Sequence, residues 1–290
     1  MKKKKPIIKK KNNSIRLDQL LVEKNFIATK SKAQALILAG KVYVNGVKVE
    51  KSGTSIKGKV DIEVREKKQS FVSRGGLKLE KAINHSELDL TGLNCLDVGV
   101  STGGFTHCML KYGAKHVTGV DVGYGQVDLK IKDHSRVTIM ERTNFRHSTE
   151  DDFEKKFDFF SMDVSFISTG KLFPALCKVL KDEARGIILL KPQFEAGKDE
   201  IGKGGVVRNP ETHKSVIDNF REICYKYSYK INNIISSPIQ GRAGNIEYLA
   251  FVERVEIVEE NSEFNTSQFV DETFNFFRSS ENEEKKNSDL

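Results

Sequence analysis

The chain has 290 residues, 38% of them hydrophobic and 30% charged, with a formal net charge of +8. That length holds two domains or one with sizeable extensions and suffices to bury a real core. There is no apolar run of the roughly 18 residues that a membrane-spanning helix needs, and the opening MKKKKPIIKKK lacks the apolar segment of a secretory signal. A cytoplasmic protein with no membrane partner is therefore expected. Charge is uneven: residues 1–65 carry 17 Lys/Arg against 5 Asp/Glu, and residues 256–290 carry 3 against 10. A basic head of this kind suits a polyanion such as nucleic acid, the plainer alternative being a solubilising lysine block. The four cysteines, Cys95, Cys108, Cys177 and Cys224, lie far apart in or beside apolar segments, and the six histidines are equally scattered. They read as buried thiols, with no disulfide frame and no metal site.

In chain order, residues 1–13 read as a basic disordered tail. Ser14 then opens SIRLDQLLVEKN and is placed to cap a first helix. Thr29 or Ser31 caps a second, which Gly40 ends. Val42, Val44, Val47 and Val49 alternate around Asn45-Gly46, the strongest short-range hairpin signal. Arg16, Lys30, Lys32, Lys41 and Lys48 are the candidate phosphate contacts of this part, which would position RNA without reading its sequence. The order RLDxLL, SKxxAxxLIxxGxVxVNG resembles the small RNA-binding domain named after the fourth small-subunit ribosomal protein, the alpha-L motif, over residues 14–64. Many members have arginine where Lys32 stands, so the forked phosphate contact that arginine makes is missing there.

Residues 65–73, REKKQSFVS, mark a composition shift and read as a linker. From 74 to 255 strand and helix patterns alternate, with strands at 94–99, 117–121, 137–140, 157–163 and 186–191 and near 231–236 and 246–253. Helices are expected at 104–113, 170–181 and 211–227. The fold class is therefore α/β, a mainly parallel sheet covered on both faces with ligands at the strands' carboxyl ends. The stretch from Leu93 to Asp121 carries the first such site. Asp97, Gly99, Ser101, Gly103, Gly104 and Phe105 form or flank a glycine-rich turn, and Asp121 lies 24 residues after Asp97, where such folds hold a ribose. Ser101 stands where a dinucleotide fingerprint needs glycine, and Phe105 where a phosphate loop needs lysine. The form D-x-G-x-S-x-G-G-F instead resembles the S-adenosylmethionine turn of class I methyltransferases, which implies that cofactor and a Rossmann-like sheet. Arg142, Thr143 and Asn144 follow the third strand, either as an adenine contact or as a helix cap.

Charged residues next to apolar strands are costly unless paired, and four stand out: Lys78 in SRGGLKL, Asp163 in MDVSFIS, Lys191 in LLKPQFE and Glu247 in GNIEYL. Together they resemble the Lys-Asp-Lys-Glu tetrad of FtsJ-type RNA 2′-O-ribose methyltransferases. With KGGVVRN and the basic head, the chain resembles the TlyA family of ribosomal RNA methyltransferases over residues 14–253. The resemblance implies ribosomal RNA or ribosomal subunits as partners, Lys191 as the base and Lys78 as a second cation that loosens its proton. Asp163 and Glu247 would orient the two amines, provided neither pairs too closely. Ser165, Phe166 and Ser168 are expected to shape the pocket beside Asp163. The loop 196–210, with Lys203 and Arg208, either closes over RNA or is a linker. Residues 256–290 read as an acidic, partly disordered tail in which Phe269, Phe274, Phe276 and Phe277 are able to pack a short helix. A non-catalytic RNA-binding or ribosome-assembly factor is the alternative function. The hemolysin label common in the family, a membrane-active role, finds no support in the sequence, and no oligomeric state is indicated.

Overall fold

A computed structural model describes residues 14–27, 29–65, 70–258 and 264–288. The expected basic tail 1–13 and part of the expected linker, residues 66–69, lie outside the described residues. The chain divides into two units, residues 1–68 and 69–290.

In the first unit β1 (Ile15–Arg16) runs straight into α1 (Leu17–Glu23), followed by α2 (Lys30–Leu38), β2 (Val42–Val44), β3 (Val47–Val49), β4 (Ser55–Ile56) and β5 (Ile62–Val64). Ser14 does not cap α1. Pairing of Ile15 with Ile56 and Arg16 with Ser55 keeps those residues extended, so the N-cap position falls on Arg16, without a side-chain cap bond. Thr29 does cap α2, its hydroxyl accepting from the Lys32 amide at 3.3 Å. Asn45 and Gly46 both take left-handed angles, φ 51° and 79°, as a two-residue hairpin turn of this hand requires. The turn fixes the β2–β3 register, with β5 on the other edge of β2. Leu17, Leu21, Ala33, Ile37 and Val42 are fully buried in this unit's own core.

The second unit begins with a helix that the periodicity did not announce, α3 (Gly75–Ser86). It continues with β6 (Asn94–Val98), α4 (Gly104–Lys111), β7 (His116–Val120), α5 (Leu129–Lys132), β8 (Val137–Met140), β9 (Phe157–Met162), α6 (Phe173–Val179), β10 (Leu180–Leu190), α7 (Pro192–Glu195), α8 (Pro210–Lys226), β11 (Tyr229–Ser236), β12 (Tyr248–Arg254) and α9 (Thr266–Ser288). The seven strands lie in the order β11-β12-β10-β9-β6-β7-β8, and β12 alone runs against the rest. Alternate residues feed two cores, as the pleat demands. Leu96, Phe160, Ile188, Leu190, Tyr248 and Ala250 pack under α6, α8 and α9. Cys95, Phe159, Ile187, Leu189, Leu249 and Phe251 pack under α3, α4 and α5. All four cysteines are free thiols, three buried and Cys177 partly so.

Within the segment read as an acidic tail, α9 lays Val270 and Phe274 into the first of these cores, with Phe269 and Phe277 partly buried beside them and Phe276 exposed. Phe274→Ala should lower the unfolding free energy by roughly 3 kcal/mol. Chemical denaturation checks this, and a change below about 0.5 kcal/mol would mean that the helix contributes nothing to the core.

Candidate active site

The carboxyl ends of the parallel strands open into a cleft of about 1410 Å³. After β6 the chain turns through three left-handed residues, Gly99 (φ 88°), Ser101 (φ 50°) and Gly103 (φ 90°), before α4 starts. Glycine is required at 99 twice over, because a Cβ there would also lie 2.6 Å from the Asp163 carbonyl oxygen. The turn aims the Ser101 amide at Asp121 Oδ2 (2.7 Å), and the Gly123 amide donates to Oδ1 (2.7 Å). Gly99, Ser101, Gly104, Phe105, Asp121 and Asn144 all line the cleft, and so do Lys78, Asp163, Lys191 and Glu247.

Two expected cofactor residues take other work. Asp97 is fully buried and does not line the cleft. On the pleat it shares a side with Cys95, facing α4, where its carboxylate accepts from Thr106 Oγ1 (2.6 Å) and Ser161 Oγ (3.0 Å). Gly103 serves as the α4 N-cap and also stays out of the cleft wall. Gly104 does line it, but its missing Cβ is needed by Ser73 Oγ and the Gly76 amide, so it packs α4 on the start of α3. Asn144 is a cap, its side chain accepting from the Arg146 amide at 3.2 Å.

The four charged residues form two ion pairs. Lys78 Nζ lies 2.5 Å from Glu247 Oε2, and Lys191 Nζ lies 2.5 Å from Asp163 Oδ1. Lys191 also donates to Ser165 Oγ at 3.0 Å, and Gln193 Nε2 donates to Glu247 Oε1 at 3.3 Å. Both carboxylates thus pair as closely as the sequence reading required them not to, Asp163 on Lys191 as well as Glu247 on Lys78. Lys78 is neutralised by Glu247 instead of serving as an uncompensated cation toward Lys191. Glu247 reaches this end of the sheet because β12 is antiparallel: Tyr248 pairs with Leu190, so the start of β12 meets the end of β10. Phe166, in the left-handed region (φ 64°) and 91% exposed, stands 5.0 Å from the Phe194 ring at the cleft.

The loop 196–210 contributes Ile201, Gly204 and Gly205 to the wall but neither Lys203 nor Arg208, both of which are exposed. It is pinned by Asn245, which accepts from the Val207 amide (3.1 Å) and donates to the Gly205 carbonyl (2.9 Å). His213 adds a second tie, its ring bridging the Val207 carbonyl (3.0 Å) and the Tyr248 hydroxyl (2.8 Å). In the first unit Lys30, Lys32, Lys41 and Lys48 are exposed, Lys48 beside Glu50. Arg16 is instead committed to the buried Asp18 through two bonds of 3.0 and 2.8 Å. Gln193, Asn245 and Gly241 escaped the sequence reading, although each lies within a few residues of a strand-end charge that it singled out.

Residues 71–254 match the family described as FtsJ-like methyltransferase, which covers more than half of the chain. The chain belongs to the FtsJ-like methyltransferase family. Residues 15–62 match the S4 domain. Among curated proteins, hemolysin A of Brachyspira hyodysenteriae is 40% identical over 237 residues, covering 81% of this chain and 98% of that one. The 16S/23S rRNA (cytidine-2′-O)-methyltransferase TlyA of Mycobacterium tuberculosis is 35% identical over 238 residues, covering 82% and 89%. A solved chain from Streptococcus thermophilus that carries a hemolysin label superposes with a TM-score of 0.74 at 37% identity, covering 93% of this chain and 99% of that one. The cleft thus lies within an FtsJ-like methyltransferase domain. Among the described residues no helix is long and apolar enough to cross a membrane.

Burial pushes the Asp97 carboxyl up to about 7, against the opposing hydrogen bonds from Thr106 and Ser161. The unfolded chain releases this proton near pH 3.9, so between about 4 and 7 the folded state holds the extra proton and stability falls as pH rises. The decline is complete above the folded value and amounts to something on the order of 4 kcal/mol. Asp97→Asn should flatten the fall in unfolding free energy between about pH 4.5 and about pH 8. Equal falls in both proteins would contradict the assignment.

Proposed function

We propose that this protein transfers a methyl group from S-adenosylmethionine to a ribose 2′-hydroxyl of ribosomal RNA, the reaction that the names of its TlyA relatives state for cytidine. The observation that carries the reading is the set of two lysines and two carboxylates, paired across the strand ends, in the same cleft as the glycine turn and Asp121. The turn suits the donor. It has no lysine for a pyrophosphate, and Asp121 uses one lone pair of each oxygen on backbone amides, which leaves others for ribose hydroxyls. When bound, S-adenosylmethionine supplies an electrophilic methyl on a sulfonium.

The chain's own residues supply the rest. A 2′-hydroxyl is a poor acid and needs a base within hydrogen-bond reach as it attacks. Lys191 takes that role after its ammonium has given up a proton. Asp163 and Ser165 hold its Nζ in place, and Glu247 holds Lys78. A nucleotide whose ribose enters this cleft must leave its stack, and the exposed Phe166 ring offers its base a face. The exposed lysines of the first unit add sequence-blind attraction to phosphates.

The test is incorporation of labelled methyl from S-adenosylmethionine into ribosomal RNA, followed by alkaline hydrolysis, which a 2′-O-methyl group blocks at the modified nucleotide. Lys191→Ala should lose at least about 100-fold in kcat while calorimetry shows donor affinity within about threefold of the parent. Unchanged turnover in that variant removes Lys191 from the mechanism, and no incorporation by the parent protein leaves an RNA-binding assembly factor.

Phe166→Ala should raise KM for RNA by about tenfold, since stacking of one base on an aromatic ring contributes roughly 1–3 kcal/mol. Steady-state kinetics check this, and an unaltered KM denies the base a seat on that ring.

A further inference from the structure

Glu247 is enclosed on three sides. Its side chain is 3% exposed, and Oε2 is held by Lys78 Nζ at 2.5 Å. Oε1 accepts from Gln193 Nε2 at 3.3 Å. On the remaining side lies Gly241: a Cβ on that residue would overlap Glu247 Oε1 and come within 2.8 Å of Cδ. The backbone of Gly241, φ −65° and ψ −176°, is one that any residue adopts, so its conformation does not call for glycine. The carboxylate does. The loop between β11 and β12 is closed so as to keep the two in contact, with the Gly241 amide donating to the Asn245 carbonyl (2.8 Å) and the Ser237 amide to the Glu247 carbonyl (2.8 Å).

Gln193 gives an independent sign. Its Oε1 is buried without a hydrogen-bond partner, which is costly for an amide. Turning the amide over would set that oxygen against the Glu247 carboxylate, so the side chain keeps its N–H on Glu247 and leaves the acceptor unpaired. Glu247, Gln193 and Gly241 line the cleft together with Lys78, but with both oxygens occupied and almost no exposure the Glu247 carboxylate acts through Lys78.

We infer that Gly241 and Gln193 are positioning residues that fix the Glu247 carboxylate, and through it the Lys78 ammonium, for methyl transfer. The inference rests on the functional reading of Lys78 and Glu247 given above. Its mechanism is steric at Gly241 and hydrogen-bonding at Gln193. Both act on one atom, Glu247 Oε1.

The experiment uses the full chain and the variants Gly241→Ala, Gln193→Met, Glu247→Asp, Glu247→Gln and the double variant Gly241→Ala/Glu247→Asp, with kcat, KM for RNA, donor Kd and Tm measured for each. Gly241→Ala should keep KM and donor Kd within about twofold and lose about tenfold or more in kcat. Aspartate withdraws its carboxylate from the added methyl, so the double variant should lose no more than the worse single one. Parental kcat in Gly241→Ala, or losses that multiply in the double variant, would overturn the inference. If Gly241→Ala does not fold, Gln193→Met decides by the same criterion in combination with Glu247→Asp. Parental kcat in Glu247→Gln is a different failure: it removes the role of Glu247 itself, and with it any need to position the carboxylate.

Discussion

Because β12 runs against its neighbours, Glu247 immediately precedes that strand at the same end of the sheet where Asp163 and Lys191 follow theirs. A parallel strand in that position would carry its first residue to the far side of the sheet, a strand length from the cleft. The one reversal places the carboxylate that leads into β12 opposite Lys78, which comes from α3, the helix preceding β6. Residues separated by most of the domain's sequence meet there.

Four charges brought so close would be unaffordable singly. Lys78, Lys191 and Glu247 are buried and Asp163 is partly so. Taking an ion out of water costs several kcal/mol unless a partner of opposite sign replaces the lost hydration. The two pairs supply that compensation with two positive and two negative charges. Removing one member leaves an orphan, typically destabilising by about 3–5 kcal/mol, so a loss of stability and a loss of chemistry have to be told apart in any substitution there. The glycine turn is arranged differently. It gives one backbone amide, that of Ser101, to Asp121, which takes a second from Gly123, so its order is a matter of φ angles more than of buried charge.

Much of this was legible in the sequence, because the signals were local. Asn45-Gly46 dictated its turn, the D-x-G-x-S-x-G-G-F form marked the strand, turn and helix, and Lys78, Asp163, Lys191 and Glu247 stood out as charges against apolar runs. What escaped depended on neighbours distant in the chain. Asp97 sits beside the turn in sequence, yet the pleat sends its carboxylate to Thr106 and Ser161, away from the cleft. Gly104 looks like a ligand-facing glycine until Ser73 and Gly76 are seen to occupy the space. Ser14 loses its cap to the β1–β4 pairing. The start of α3 was hidden by Gly75 and Gly76, poor helix formers, although Gly76 is forced because any Cβ would collide with Phe71. Helix α9 was foreseen only as a short helix carrying Phe269, Phe274, Phe276 and Phe277; it spans Thr266–Ser288, and of the four Phe276 is exposed.

In the first unit, Asp18 engages the guanidinium of Arg16 with both of its oxygens and takes a further bond from Gln34 (2.9 Å). The forked cation best suited to reading a phosphate's orientation is thereby engaged by a carboxylate of its own chain, although its side chain stays about half exposed. The remaining expected contacts are lysines, round charges on flexible stems that are indifferent to direction. Under the proposed function this unit supplies grip without an address, and the choice of nucleotide falls to the walls of the methyltransferase cleft.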